Sequence, residues 1–356
     1  MKTDTKAVGP ATGFDALDRQ LLHALQLDGR APFSRIAAAL GVSDQTVARR
    51  YTRHRGSGAL RVVGLAGTQA LGEVDWLVRV QCTPDAAVPV AEAMARRTDT
   101  SWVGLMSGGT EIGALCRGAS GEHSDQLLLE KLPRTPSVVG VTAHCLLHKF
   151  FGGPQGLISK SGALSDEQIV RLSPPPPDPV PAPVALGEAD RRLFEALGRD
   201  ARTPLAELAV YKRQAELRAD GVLYYDVDYD PRLVGYGVMV ALWLSVEPAA
   251  LAATGAALAP HPEVAFAGAT TGPNNLFASV VCEDVAALYT YLTTRVAALP
   301  GVRTMESAPR IRHIKGAGPF LPAGPATRPA TRSATPPATR PALPPSARPV
   351  VPGRRR

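Results

Sequence analysis

Residues 43–55 hold the side chains whose types and spacing most clearly specify a chemistry. Ser43, Asp44, Gln45 and Thr46 form a short polar run, and Arg49, Arg50, Arg53 and Arg55 follow it. Hydroxyls and amides can exchange hydrogen bonds with base edges in the major groove of double-stranded DNA, and arginines neutralise phosphates or bind guanine bidentately. Catalytic chemistry is not written in the same way. His123, His144, His148, His261 and His313 lack metal-ligand spacing, and no H-E-x-x-H, P-loop or G-x-G-x-x-G pattern occurs. The run Gly268 to Gly272 lacks the Lys-Ser/Thr that a phosphate loop needs. Cys82, Cys116, Cys145 and Cys282 stand far apart with no C-x-x-C pair, so they read as reduced core residues. No catalytic residue, metal or cofactor is expected.

The polar run needs a rigid element to present it, and the residues before it supply one. Leu17, Leu21, Leu22 and Leu25 make a helical stripe. A second helix follows Pro32 with Ile36, Ala37 and Leu40 inward, and Gly41 stops it. Ser43 then caps a third helix whose first-turn Asp44 complements the helix dipole, while Val42 and Val47 face inward. This is the spacing of a helix-turn-helix with its third helix offered to the major groove. A three-helix packing unit with a solvated basic face is the competing reading. A membrane-surface helix would need a wide apolar face with aromatic anchors, which this one lacks.

Phe14–Leu25 aligns with Leu186–Leu197, and Asp28–Pro32 with Asp200–Pro204, at one offset of 172 (186 − 14 and 200 − 28). Each helical stretch is followed by the pattern strand, helix, strand, strand, helix, strand. Strands are expected near 74–82, 100–106, 111–117 and 137–148 with helices near 85–97 and 121–131. In the second half the strands fall near 236–246, 263–270, 276–282 and 302–314 with helices near 248–258 and 284–298. The expected class is α+β: a winged or three-helix helix-turn-helix, then a ferredoxin-like βαββαβ domain, the whole duplicated.

The second helix-turn-helix reads as truncated. Pro32 to Leu60 spans 28 positions and Pro204 to Leu223 spans 19 (60 − 32 and 223 − 204), so the turn and the start of a reader helix are missing. Val210-Tyr211-Lys212-Arg213-Gln214 stands there instead. Two accounts are open: degeneration to a scaffold, or a foreign pentapeptide, since these five residues match one reading frame of a transposon end used in sequencing libraries.

The resulting domains are 14–62 for DNA binding, 72–150 for the first βαββαβ domain, 151–185 for a Pro-rich linker, 186–225 for the shortened second helix-turn-helix, and 234–315 for the second βαββαβ domain. Ser173 to Pro183 is read as a stiff polyproline spacer. Residues 316–356, basic and rich in Pro, Ala and Arg, are read as a disordered tail. That tail supplies much of the formal charge of +7, so the pI near 9.4 is a weak argument for nucleic acid by itself. The polar start and the lack of an 18-residue apolar run point to a soluble, cytoplasmic bacterial protein associated with the nucleoid when bound.

The first half resembles the leucine-responsive/asparagine regulator (Lrp/AsnC) family, in a tandem two-copy form. Leu17 to Arg30 is similar to that family's first helix, and Ile36 to Ser43 with Val47 to Arg50 to its helix-turn-helix. The resemblance implies transcriptional control, self-association through effector domains, and an amino acid or related metabolite as effector. It also implies a ligand cleft at the loop between the second and third strands. In this sequence those loops carry Gly108, Gly109, Thr110 and Glu111, and Gly272, Asn274 and Asn275. Glycine amides and small polar side chains can hold an α-carboxylate and an α-amino group; a plain β-turn is the alternative. Two other functions are kept beside the regulator: a sensing or interaction module without DNA binding, and a small ferredoxin-like enzyme.

Overall fold

The computed structural model describes residues 13–118, 126–178, 182–204 and 208–320. Three helices open it: α1 (Ala16–Leu27), α2 (Phe33–Leu40) and α3 (Asp44–Gly56). Asp15 caps α1, accepting from the Asp18 amide at 2.8 Å while Asp18 accepts in return from the Asp15 amide. Gly41 ends α2 at φ 68°, the left-handed conformation that a turn into the next helix requires. The chain then enters β1 (Leu60–Ala66) and β2 (Val74–Cys82), α4 (Ala87–Ala95), β3 (Thr100–Met106), β4 (Glu111–Gly118) and β5 (Val138–Phe151). The helix expected over 121–131 is described only from Gln126, as a π-helical turn to Lys131; the remainder lies outside the described residues.

The second half runs through α5 (Asp166–Leu172), α6 (Glu188–Arg199), α7 (Leu208–Ala219), β6 (Leu223–Tyr229), β7 (Val238–Val246), α8 (Leu251–Leu258), β8 (Val264–Thr270), β9 (Leu276–Cys282), α9 (Val285–Tyr291) and β10 (Val302–His313). Among the described residues, only α6 and α7 lie between Leu186 and β6, where three helices precede β1.

Strands β1 and β6 pair antiparallel with Val63 opposite Asp226, Leu60 opposite Tyr229 and Ala66 opposite Leu223. The helices around this ribbon share one core, in which Leu21, Leu25 and Ile36 meet Leu193, Leu197 and Leu217. A one-sided helical stripe must bury itself against something, and here the two stripes bury each other.

The other eight strands close into a barrel in the order β10-β3-β4-β2-β5-β8-β9-β7. Within it β3-β4-β2-β5 and β8-β9-β7-β10 are each the antiparallel order of a βαββαβ unit. Each has an apolar face covered by helices: Val78 and Val80 pack with Ala91 and Met94, and Leu242 and Leu244 with Leu258 and Leu288. Two seams join the units, β5 to β8 and β10 to β3. Lys149 faces Gly268 at one seam and His313 faces Gly104 at the other. The difference is 164 for both partners (313 − 149 and 268 − 104), so the two seams are related by an approximate two-fold. Closure leaves neither unit with an open edge strand.

Two expectations are corrected. The stretch 151–185 is not a spacer along its length: α5 lies in it, and Ile158, Leu164 and Leu172 are buried in the helical core. Its proline segment is strapped to the protein, with the Asp178 amide donating to the Ala219 carbonyl at 2.8 Å and the Val184 amide to that of Ala70 at 2.9 Å. Prolines lack the amide, so the non-proline residues make these bonds. Residues 316–320 are also packed, not free: the Gly316 carbonyl accepts from the Trp102 amide at 3.0 Å, and Phe320 packs against the core of the first βαββαβ unit. The rest of the expected tail, 321–356, lies outside the described residues.

Candidate functional site

Helix α3 is held at its start by Ser43, whose Oγ accepts from the Thr46 amide at 3.2 Å and lies 2.9 Å from the Thr46 hydroxyl. That use occupies Ser43 and Thr46 with the helix itself. Asp44 and Gln45 are exposed, with the Asp44 carboxylate accepting from the Gln45 amide at 2.8 Å. Helical spacing then puts Gln45, Arg49, Thr52 and Arg53 on one outward face, all four exposed. Thr52 was missed by sequence reasoning; its place three residues after Arg49 is the signal that could have found it.

The arginines divide by partner. Among the described residues Arg49 makes no ion pair or hydrogen bond through its side chain. Arg50 turns back instead, reaching Asp15 at 2.6 Å and Asp18 at 2.7 Å. The hydrogen bond to Asp15, then that to Asp18, raises the Arg50 guanidinium above its ordinary value. Arg53 lies 3.2 Å from Asp18 while remaining mostly exposed, and His54 is 2.9 Å from the same carboxylate. Asp18 is 4% exposed, so α3 is bolted to α1 through one buried anion. Arg55 reaches Asp200 at 2.6 Å, across to the segment after α6. The eight residues expected to meet DNA thus do not act as one surface.

The two loops expected to hold an effector differ. In the first, Ser107 (φ 51°), Gly108 (φ 77°) and Gly109 (φ 90°) are left-handed, and Thr110 donates to the Ser107 carbonyl at 3.2 Å. Glu111 is buried and committed, accepting from Arg79 Nε at 2.5 Å and from the Ser107 hydroxyl at 2.9 Å. In the second, Asn275 is spent on the Val246 backbone, accepting from its amide and donating to its carbonyl, each at 2.9 Å. Gly272 (φ 99°) lies where a Cβ would strike the His144 ring of β5. Thr271 accepts from the Cys145 amide through its hydroxyl at 2.9 Å, so this loop is laced to the seam. Glu111, Asn275 and the Thr110 hydroxyl are thus engaged within the protein.

Arg79 was not singled out from the sequence. It lies on the face of β2 away from the helices, bonded to Glu111 and to Glu306 of β10, with its guanidinium 5.2 Å from the Trp243 ring centroid of β7. These contacts span the barrel lumen, where Met106, Ala241 and Ala308 also meet. The Arg79 hydrogen bond holds Glu306 below the usual carboxylate range. An arginine among the apolar residues of 74–82 was the available signal.

Comparison with known proteins accords with this geometry. Residues 14–53 match the AsnC-type helix-turn-helix domain, and residues 239–320 the Lrp/AsnC ligand binding domain. An uncharacterized HTH-type transcriptional regulator of Pyrococcus furiosus is 29% identical over 126 residues, 35% of this chain and 85% of the relative. The HTH-type transcriptional regulator FL11 of Pyrococcus horikoshii is 24% identical over 129 residues, 33% of this chain and 85% of the relative. Among solved structures, the siroheme decarboxylase NirDL shares the fold at TM-score 0.57 and 14% identity, covering 86% of this chain and 95% of that one. The structure of Escherichia coli AsnC matches 38% of this chain at 19% identity and TM-score 0.31.

Proposed function

We propose that the chain is a regulator of the Lrp/AsnC type, a sequence-specific DNA-binding transcriptional regulator whose activity a small metabolite modulates. The observation that carries the reading is α3: capped by Ser43, anchored through Arg50 on Asp18, and presenting Gln45, Arg49, Thr52 and Arg53 outward. A reader helix needs rigidity on one side and unpaired donors on the other. Arg49 and Gln45 would meet base edges, with Arg53 at a phosphate. A gel-shift titration at fixed salt on the gene's own upstream region tests this, because phosphate contacts make affinity salt-dependent. A shift that resists excess unrelated duplex is expected; none, with or without a panel of amino acids, refutes the reading.

The effector is an amino acid or related metabolite at the loops carrying Gly108, Gly109 and Thr110, and Gly272 and Asn274. The left-handed conformation of Gly108 and Gly272, both exposed, supports this placement. The whole is a tandem duplication whose two βαββαβ units pair within one chain, as two subunits would, and whose second helix-turn-helix has lost its reader. The equal offsets of the two barrel seams support duplication. The protein acts in the cytoplasm.

A second reading, an enzyme on the same fold, takes its support from the coverage of the decarboxylase. Fold alone does not choose chemistry. Absorbance titration with siroheme separates the two: an unchanged spectrum is expected, and tight binding followed by loss of carboxyl groups favours the enzyme.

A further inference from the structure

The two βαββαβ units share a strand order but differ in the side chains they bring to the barrel lumen. The offset of 164 that relates the seams also relates the strand registers inside each unit. Arg79 stands opposite Gly113 and Thr142 in the first unit, and Trp243 opposite Phe277 and Glu306 in the second. Arg79 and Trp243 therefore occupy one position (243 − 79), Thr142 and Glu306 another (306 − 142), and His144 and Ala308 a third (308 − 144), each pair 164 apart.

In the closed barrel these unlike residues meet. Trp243 is 2% exposed, with the Arg79 guanidinium 5.2 Å and the His144 ring 5.1 Å from its own ring centroid. Both neighbours come from the first unit, and Phe277 of the second completes the contact at 4.6 Å. The indole N–H has no hydrogen-bond partner among the described residues, so these neighbours hold the ring through its faces and edges. Arg79 also crosses to the second unit, donating to Glu306 at 2.9 Å, and His144 Nδ1 lies 2.9 Å from the Thr271 carbonyl of that unit.

We propose that the two inner faces are a matched and non-interchangeable pair, so that a first unit accepts a second unit of this kind and rejects another first unit, and the reverse. Two first units would set Arg79 against a second Arg79, with Thr142 in the place of Glu306. Two second units would set Trp243 against a second Trp243, with Ala308 in the place of His144 and no guanidinium for either Glu306. Arg79 is mostly buried, so a second arginine beside it costs free energy that no contact in a like pair offsets. Specificity then comes from repulsion in the wrong pair as well as attraction in the right one. A single-copy relative built from identical units is excluded as a partner for the same reason. The inference rests on the reading of the chain as two units paired in tandem, and not on DNA binding.

Transposing the two residues in the full chain tests it, with denaturant melts of the parent, Arg79→Trp, Trp243→Arg and the double variant Arg79→Trp/Trp243→Arg. Each single change creates a like pair and should lower the midpoint. The double variant restores an arginine beside a tryptophan, and leaves that arginine opposite Glu306, so it should recover most of the summed loss. Folding of the double variant where the single ones do not fold is the same result in a stronger form. A double variant no more stable than the single ones, or as insoluble as they are, overturns the proposal. Glu306→Gln changes a half-exposed residue and should lower the midpoint of the parent; an unchanged midpoint overturns the part given to Arg79 in reading the second unit. None of these melts reads DNA or effector binding, so failure here is distinguishable from failure of the regulator reading, which the gel shift decides.

Discussion

Arg30 and Arg202 clasp each other's backbone: Arg30 donates to the carbonyls of Ala201 and Thr203, and Arg202 to those of Gly29 and Ala31 at 2.9 and 3.0 Å. The two arginines are 172 positions apart, the offset at which the two helical stretches align, so the clasp maps onto itself under an approximate two-fold rotation. Arg202 also lies over the Phe33 ring, with its guanidinium carbon 4.2 Å from the centroid. Burial lowers its pKa from the ordinary arginine value. Arg202→Ala strands two carbonyl acceptors and removes the stacking, and should destabilise the chain by about 2–3 kcal/mol in denaturant titration. A change within about 0.5 kcal/mol would show that the clasp contributes little.

Arg49 and Arg50 are adjacent and should fail differently. Arg49→Ala should leave thermal stability unchanged, weaken DNA binding, and reduce the salt slope by about one. Arg50→Ala leaves Asp18 without its shortest partner and should cost about 1–3 kcal/mol of stability, with DNA affinity falling as a consequence. Melts and salt-dependent anisotropy on both variants separate the roles. Equal melts for the two would contradict the assignment.

Asp226 sits at the centre of the β1–β6 ribbon, and burial pushes its carboxyl up to about 7 from 3.8, against a bond from the Val227 amide and with Asp228 adding to the rise. The folded chain holds this proton more tightly than the unfolded one. Its contribution is complete below the unfolded pKa, declines between about 3.8 and 7, and is gone above. Asp226→Asn should therefore stabilise the protein at pH 8 by about 1–3 kcal/mol and change little at pH 4. Melting both proteins across that range checks the sign; a larger gain at pH 4 than at pH 8 contradicts it.

The second helical stretch makes a prediction about the gene. If Val210–Gln214 is a foreign pentapeptide, sequencing across codons 205–220 will restore a longer segment able to encode a turn and a reader helix. An uninterrupted genomic read with the same codons establishes degeneration, and the chain then carries one reader for two βαββαβ units.

Much of the fold was legible because local rules and packing agreed. The leucine stripe from Leu17, the Gly41 stop, the Ser43 cap and the alternating strands placed elements close to where they stand. The barrel closure was not, because edge pairing of β5 with β8 depends on partners more than 100 residues apart, which periodicity does not encode. The proline strap misled for a related reason: composition marks an extended backbone but not the surface it lies on. At the candidate site residue types were readable and partners were not. Nothing in Arg-Arg-Tyr-Thr-Arg says that Arg50 turns inward to Asp18 while Arg49 and Thr52 stay free.

Selection of bound duplexes from a random pool, run side by side with the parent chain and Arg49→Ala at one salt concentration, tests the central claim most directly. The account predicts an enriched motif for the parent, bound at least about 10³-fold more tightly than random duplex, and loss or relaxation of that motif in Arg49→Ala. A pool that shows no enrichment with the parent, or the same motif at undiminished affinity with the variant, would contradict it.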